Sequence, residues 1–344
     1  MRLKFEDVTL TLKHPFRLHG GTKKSAQVLI CEIEHDGITG VGEACPSKYY
    51  GETPESVKAV WNAIDFSVHR DPFLYEAIYN ALREQFPRDT AARAGVDIAL
   101  FDWLGKKMNV PLYRFFELDK SHIPASSFTI GFASTDELVR KIHEAEDFPI
   151  LKIKLGTTND RTIIETIRSV TDKPIRVDAN EGWSREEALE KIKWLEDKNV
   201  QFVEQPLKKE DLDGHAWLKE RVALPLFADE SARAPEDIHK IHAAFDGVVV
   251  KIMKAGGIQA AIEAIRLARS YGLQTMLSCF LETSVAISAA AHISPLVDYA
   301  DLDGHLLITD DPFEGLSLVD GRVMVSEEPG LGIRRKNRDD DYGA

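Results

Sequence analysis

IRVDAN (175–180), QFVEQP (201–206) and LFADES (226–231) each close a short apolar run on a carboxylate: Asp178, Glu204 and Asp229. The acids recur about every 25 residues, the length of one strand-plus-helix unit. Each falls at the C-terminal tip of its strand. In a parallel barrel those tips line one mouth, so residues distant in sequence converge there. Three converging acids repel one another unless a cation sits among them. Their oxygen-only donors, with no adjacent His or Cys, suit Mg²⁺, or Mn²⁺ as a substitute, better than zinc. Glu230 and Asn180 adjoin the acids and read as partners that orient them.

The same rhythm extends both ways from these units. Candidate strands are FTIGF (128–132), ILKIKL (150–155), the three above, GVVVKI (247–252), QTMLSC (274–279) and YADL (299–302). Charged, helix-compatible stretches such as SREEALEKIKWLEDKN separate them, which implies parallel βα units. Eight in succession imply an α/β fold of the (β/α)8-barrel type rather than an open sheet. The last helix reads as short.

Upstream, VTLTL, AQVLICEIEH and ITGVGEA, with a turn at Asp36-Gly37, read as an antiparallel meander. From Thr53-Pro54 the pattern turns helical, and AARAGVDIALFDWLGKKM (91–108) carries small residues suited to close packing. The expected division is an α+β capping domain over 1–120, the barrel over 121–311, and a segment over 312–344 that packs back on the capping domain. Its last residues, RRKNRDDDYGA, are charged and read as mobile.

A net charge of −13 argues against nucleic-acid or anionic-membrane partners, which need a basic face. Cys31, Cys45 and Cys279 are scattered without metal-ligand spacing, the pattern of free thiols in a reducing, cytoplasmic setting. No stretch approaches 18 apolar residues. Barrels of this size often associate, so a homo-oligomer is in keeping.

In Leu151–Leu155 lysines alternate with aliphatic residues, which puts Lys152 and Lys154 on one strand face. A solvated edge strand is the ordinary home of such a pair, but a closed barrel has no such edge, so both point inward. Crowding and partial burial should lower their pKa values and suit them to proton transfer. Lys251 ends the sixth strand, diametrically across the ring from Lys154 on the second. Lys254, one turn on, reads as facing outward or supporting a loop. A hard cation holding a carboxylate, with an amine on each face of its α-carbon, suits removal and return of that proton through an enediolate, as in racemisation or epimerisation. At the eighth strand, DLDG brings Asp301 and Asp303, across the ring and away from the three acids. They suit a cationic group on the substrate, although a turn held by Asp side chains before Gly accounts for the pattern as well.

LKIKLG, RVDANEGW, VEQP, ADES, VKIMKAGGI and DYADLDG, in this order, resemble the enolase superfamily, muconate-lactonising subgroup, and within it the dipeptide epimerases. The resemblance includes the capping stretches PFRLHGG, ITGVGEACP and YYGET. It implies Mg²⁺ on Asp178, Glu204 and Asp229, Lys154 and Lys251 as the acid/base pair, and Lys152 against the substrate carboxylate. Asp301 and Asp303 would bind the α-ammonium of a dipeptide, with Thr129 and Cys279 lining the pocket. For a glutamate side chain, members commonly use an arginine in the first capping loop. Here Lys23 falls closest, giving charge without the bidentate fork. Tyr49, Tyr50 and Glu52 of the second capping loop also shape the pocket. The expected activity is an L-Ala-D/L-Glu-type dipeptide epimerase, an isomerase. The competing readings are an N-acylamino-acid racemase, o-succinylbenzoate synthase or cycloisomerase, and a non-catalytic peptide-binding barrel.

Overall fold

A computed structural model describes residues 1–18 and 21–337. His19 and Gly20 of the PFRLHGG stretch, and the charged end 338–344, lie outside the described residues. The chain opens with an antiparallel sheet of β1 (Arg2–Leu18), β2 (Gly21–His35) and β3 (Ile38–Ala44). Asp36 and Gly37 both take positive φ, 50° and 73°, the geometry a two-residue hairpin needs. Then come α1 (Pro54–Ala63), α2 (Tyr75–Gln85) and α3 (Thr90–Met108). Thr53 caps α1 through Ser56, as its place before Pro54 suggests. Helix α3 lies directly on β3. A Cβ on Gly42 would sit 2.0 Å from the Gly95 carbonyl oxygen, and one on Gly95 would sit 2.6 Å from the Trp61 ring. The small residues of that helix are what permit this approach.

After α4 (Leu112–Phe115), eight parallel strands follow in sequential order. They are β4 (Ser127–Ile130), β5 (Ile150–Lys154), β6 (Ile175–Asp178), β7 (Val200–Glu204), β8 (Leu226–Ala228), β9 (Gly247–Lys251), β10 (Gln274–Ser278) and β11 (Tyr299–Asp301). A parallel bridge from Ser126 to Ala300 brings the last strand beside the first, so the barrel is nearly closed. Between the strands run α5 (Thr135–Glu144), α6 (Asp160–Val170), α7 (Arg185–Leu195), α8 (Leu212–Lys219), α9 (Ile238–Ile241), α10 (Ile252–Ala255), α11 (Ile258–Ser270) and α12 (Ser284–Ile293). After β11 comes a 3-10 turn, Gly304–Leu307, in place of a full helix.

Period-two alternation sorts the strand side chains. Leu151, Ile153, Ile175 and Val177 pack outward under the helices as part of one continuous core. Inside the barrel, Phe202, Phe227, Val249 and Met276 form a separate buried layer. Phe202 and Phe227 stack with centroids 4.1 Å apart, and the Arg176 guanidinium lies 5.5 Å from the Phe202 centroid. This layer is the floor on which the mouth residues stand. Two ties join the capping elements to the barrel. Buried Glu43 on β3 accepts from Thr283 N–H (3.0 Å), Thr283 Oγ1–H (2.6 Å) and Ala286 N–H (3.1 Å) at the start of α12. The C-terminal segment returns to α3, where Leu331 N–H donates to Asp102 Oδ1 at 2.8 Å. Among the described residues no helix is long and apolar enough to cross a membrane.

Candidate active site

Strand register fixes the site first. Lys154 pairs with Asp178, and Asp178 with Glu204, so these residues occupy one level across β5, β6 and β7. Ser278 pairs with both Lys251 and Asp301, putting β9, β10 and β11 at a matching level. Asp178, Glu204 and Asp229 are all essentially buried. The backbone just past them is strained: Asn180, Glu181 and Gln205 take φ of 42°, 62° and 38°, conformations costing non-glycine residues roughly 1–3 kcal/mol each. Side-chain bonds hold them there. Asn180 Nδ2–H donates to Glu230 Oε1 (3.1 Å), and Gln205 Oε1 accepts from Asp229 N–H (3.0 Å) and Ser231 N–H (3.1 Å).

Four ammonium groups interleave with the acids. Lys154 donates to Asp178 Oδ2 at 2.5 Å and Lys251 to Asp229 Oδ2 at 2.8 Å. Lys152 donates to Glu204 Oε1 (3.1 Å) and to Asp301 Oδ2 (2.9 Å), and stands 3.4 Å from Asp178. Lys254 donates to Asp229 Oδ1 and to the Asp229 carbonyl, both at 2.6 Å, and to the Val249 carbonyl at 2.9 Å. Asp301 also accepts from Ser127 Oγ–H (2.8 Å) and Ser278 Oγ–H (2.9 Å). Asp303 accepts from the Thr129 N–H at 2.6 Å.

Burial penalises each charge, and neighbours decide the outcome. For Asp178 and Asp229 the lysines outweigh burial and hold both carboxyls below the usual range, Asp229 far below. Glu204 goes the other way. Burial and then the Asp178 charge push it well up, with Lys152 only partly offsetting. Glu204 Oε2 is buried and forms an ion pair with Lys152 Nζ at 2.9 Å. Burial, with Asp229 and Asp178, raises Glu230 to about 7. Asp301 is held at about 2 by Lys152 against its own burial, whereas burial and the Asp301 charge raise Asp303 to about 7.

This chain matches the enolase C-terminal domain-like family over residues 134–339 and the mandelate racemase/muconate lactonizing enzyme N-terminal domain over residues 2–116. The chain belongs to the enolase superfamily. It is 43% identical over 337 residues to the L-Ala-D/L-Glu epimerase of Bacteroides thetaiotaomicron, covering 97% of this chain and 88% of the relative. A substrate-liganded L-Ala-D/L-Glu epimerase from Bacillus subtilis superposes with a TM-score of 0.91 at 28% identity, over 97% of this chain and 98% of the other. A dipeptide epimerase from Enterococcus faecalis, complexed with Mg and L-Leu-L-Tyr, gives 0.88 at 29% identity, over 96% and 98%.

In this enolase-superfamily barrel, the mouth gathers Lys152, Lys154, Asp178, Glu204, Asp229, Lys251, Asp301 and Asp303. Thr129 and Cys279 belong to the strand-eight side, Thr129 through Asp303 and Cys279 by donating its Sγ–H to the Asp301 carbonyl at 3.3 Å. Lys23 stands apart, exposed on β2 opposite Phe16, with a charge that reaches buried Cys45. Three expectations need correction. Lys254 does not face outward; it is 1% exposed and clamps Asp229. Asp301 is not remote from the acids, because Lys152 spans from Glu204 to it. Lys152 is not lowered in pKa: burial works downward, but the Asp301 and Glu204 charges more than reverse it.

Among the described residues no three ligating side chains close around a single point, since ammonium groups fill the gaps between the carboxylates. The donor set nonetheless fits a hard divalent ion. It offers oxygen only and gathers three buried carboxylates at the mouth, Asp178 and Glu204 at one strand level.

Proposed function

We propose that this protein is a Mg²⁺-dependent dipeptide epimerase that moves the α-proton of the C-terminal residue between two lysines. The observation that carries the reading is the placing of Lys154 on β5 and Lys251 on β9, four strands apart in the ring of eight, on either side of the buried carboxylates. Magnesium on Asp178, Glu204 and Asp229 would supply positive charge beside the substrate carboxylate. Lys152, on the same strand face as Lys154, supports that carboxylate. Lys154 takes or returns the proton on one face of the α-carbon, and Lys251 does so on the other.

Asp303 supports a substrate with a free amine. It is buried beside Asp301, accepts from the Thr129 N–H, and is pushed to about 7 by its burial and then by the Asp301 charge. A substrate ammonium would relieve that penalty. An N-acylated substrate would leave it unrelieved, which counts against a racemase of N-acylamino acids. Thr129 and Cys279 frame this end of the pocket. The named relatives make L-Ala-L-Glu the first substrate to try, with Lys23 as the counter-charge for the glutamate. We divide the chain into a capping domain (1–120), the barrel (121–311) and a returning segment (312–344), supported by the Leu331–Asp102 tie. The free thiols are in keeping with a cytoplasmic protein.

The test is incubation of the enzyme with Mg²⁺ and L-Ala-L-Glu in D₂O. Deuterium should enter the α-position of the glutamate, and L-Ala-D-Glu should accumulate. A broad dipeptide panel in which none exchanges would reject the proposal.

A further inference from the structure

Lys251 has a neighbour that Lys154 lacks. The Phe280 ring, in the loop after β10, lies with its centroid 4.9 Å from the Lys251 ammonium. Among the described residues no ring faces Lys154 in this way. One N–H of Lys251 is committed to Asp229 Oδ2 at 2.8 Å, on the far side of which Lys254 fixes Oδ1. The ring packs on Lys251 without consuming an N–H, because an aromatic face attracts a cation electrostatically. Phe280 is itself held from the capping loop. The Tyr50 ring is 6.5 Å from it, Tyr49 meets Tyr50 edge-on at 4.9 Å, and the Tyr49 hydroxyl donates to Glu181 Oε2 at 2.9 Å.

We propose that Phe280 is a positioning residue for Lys251: its ring, braced by Tyr50, holds the ammonium in line with the substrate α-carbon and so serves one face of the reaction only. This rests on the two-lysine epimerase reading. It predicts a one-sided defect, which general loosening of the mouth would not give.

The experiment uses the Mg²⁺-loaded enzyme in D₂O with each epimer of a turned-over dipeptide, following α-proton exchange and inversion separately. Lys251→Ala first identifies the epimer whose proton Lys251 removes. In Phe280→Leu, exchange from that epimer should fall about tenfold while exchange from the other stays within about twofold, and Phe280→Tyr should restore the lost rate. Replacing Phe280 by a ring-fluorinated phenylalanine keeps the shape and weakens the ring's negative face, so the same one-sided fall should appear even if Phe280→Leu fails to fold. Equal losses from both epimers, or wild-type rates in the fluorinated protein, would overturn the proposal. Absence of exchange in the wild type, with every dipeptide, would instead defeat the epimerase reading itself.

Discussion

The two sides of the mouth carry the same kind of amine but are built differently. Beyond Lys154 the chain turns through Gly156 and Thr157, and the barrel secures that turn with its own residues. Asp160, at the start of α6, accepts from Gly156 N–H (3.1 Å), Thr157 N–H (2.8 Å) and Thr157 Oγ1–H (2.9 Å). Its other oxygen takes Trp183 Nε1–H and Lys191, both at 2.8 Å. Beyond Lys251 the chain runs through α10 and two glycines with φ of 101° and 137° into α11. Here the supports come from the capping domain. Asp97 of α3 accepts from Ile258 N–H at 2.5 Å and Gln259 Nε2–H at 2.7 Å, and a Cβ on Gly256 would lie 2.7 Å from the Arg93 guanidinium. One amine is thus seated by the barrel alone, the other where two domains meet. The N-terminal elements therefore hold the chain beyond Lys251, one half of the proposed acid/base pair.

That contrast can be broken at several depths. Lys154→Ala and Lys251→Ala should each lower epimerisation by roughly 10²–10⁴-fold, read as inversion monitored by optical rotation. Loss of only one activity would mean that a single base does the work. The two loop anchors come next. Asp160→Ala and Asp97→Ala each leave buried N–H groups unpaired, at a cost of about 1–3 kcal/mol of stability in urea melts. Asp160→Ala should slow the Lys154-dependent exchange, and Asp97→Ala the Lys251-dependent exchange. The same kinetic defect in both would erase the difference between the two sides.

The Asp97 tie is also sensitive to pH. Burial raises its pKa to about 6, against the ordinary value of 3.8. The folded state therefore binds the proton more tightly than the unfolded chain. Its contribution is fully present below about pH 4 and is lost as pH rises through about 6, a swing of about 2–3 kcal/mol. Asp97→Asn should remove this slope from the stability profile, and a wild-type minus variant difference that stays flat from pH 4 to 7 would contradict it. The smallest effect is expected at exposed Lys23. Lys23→Met should raise KM for L-Ala-L-Glu about two- to fivefold, in line with the small worth of exposed charge pairs, and leave an apolar dipeptide unaffected.

The strand tips were legible because each is an apolar run ending in a charge, and a strand buried on both faces hydrates a charge most readily at the barrel mouth. The positions of Asp178, Glu204, Asp229, Lys154 and Lys251 followed from that pattern. Lys254 did not, because a helical turn begins directly after Lys251 and swings the side chain beneath Asp229. The i, i+3 spacing of the two lysines, just ahead of Gly256-Gly257, was the available signal. Arg93 and Asp97 were hidden inside a run read as a packing helix, although charges at i and i+4 among small apolar residues mark a buried polar contact. Phe280 carried no periodic signal at all, since its role depends on how a loop folds over a neighbouring strand.

The most direct test of the two-sided account compares α-proton exchange from the L,L and L,D epimers in Lys154→Ala and Lys251→Ala, each loaded with Mg²⁺ in D₂O. The account predicts mirror-image results: each variant loses exchange from one epimer and keeps it, with retention of configuration, for the other. Both variants losing exchange from the same epimer would contradict it.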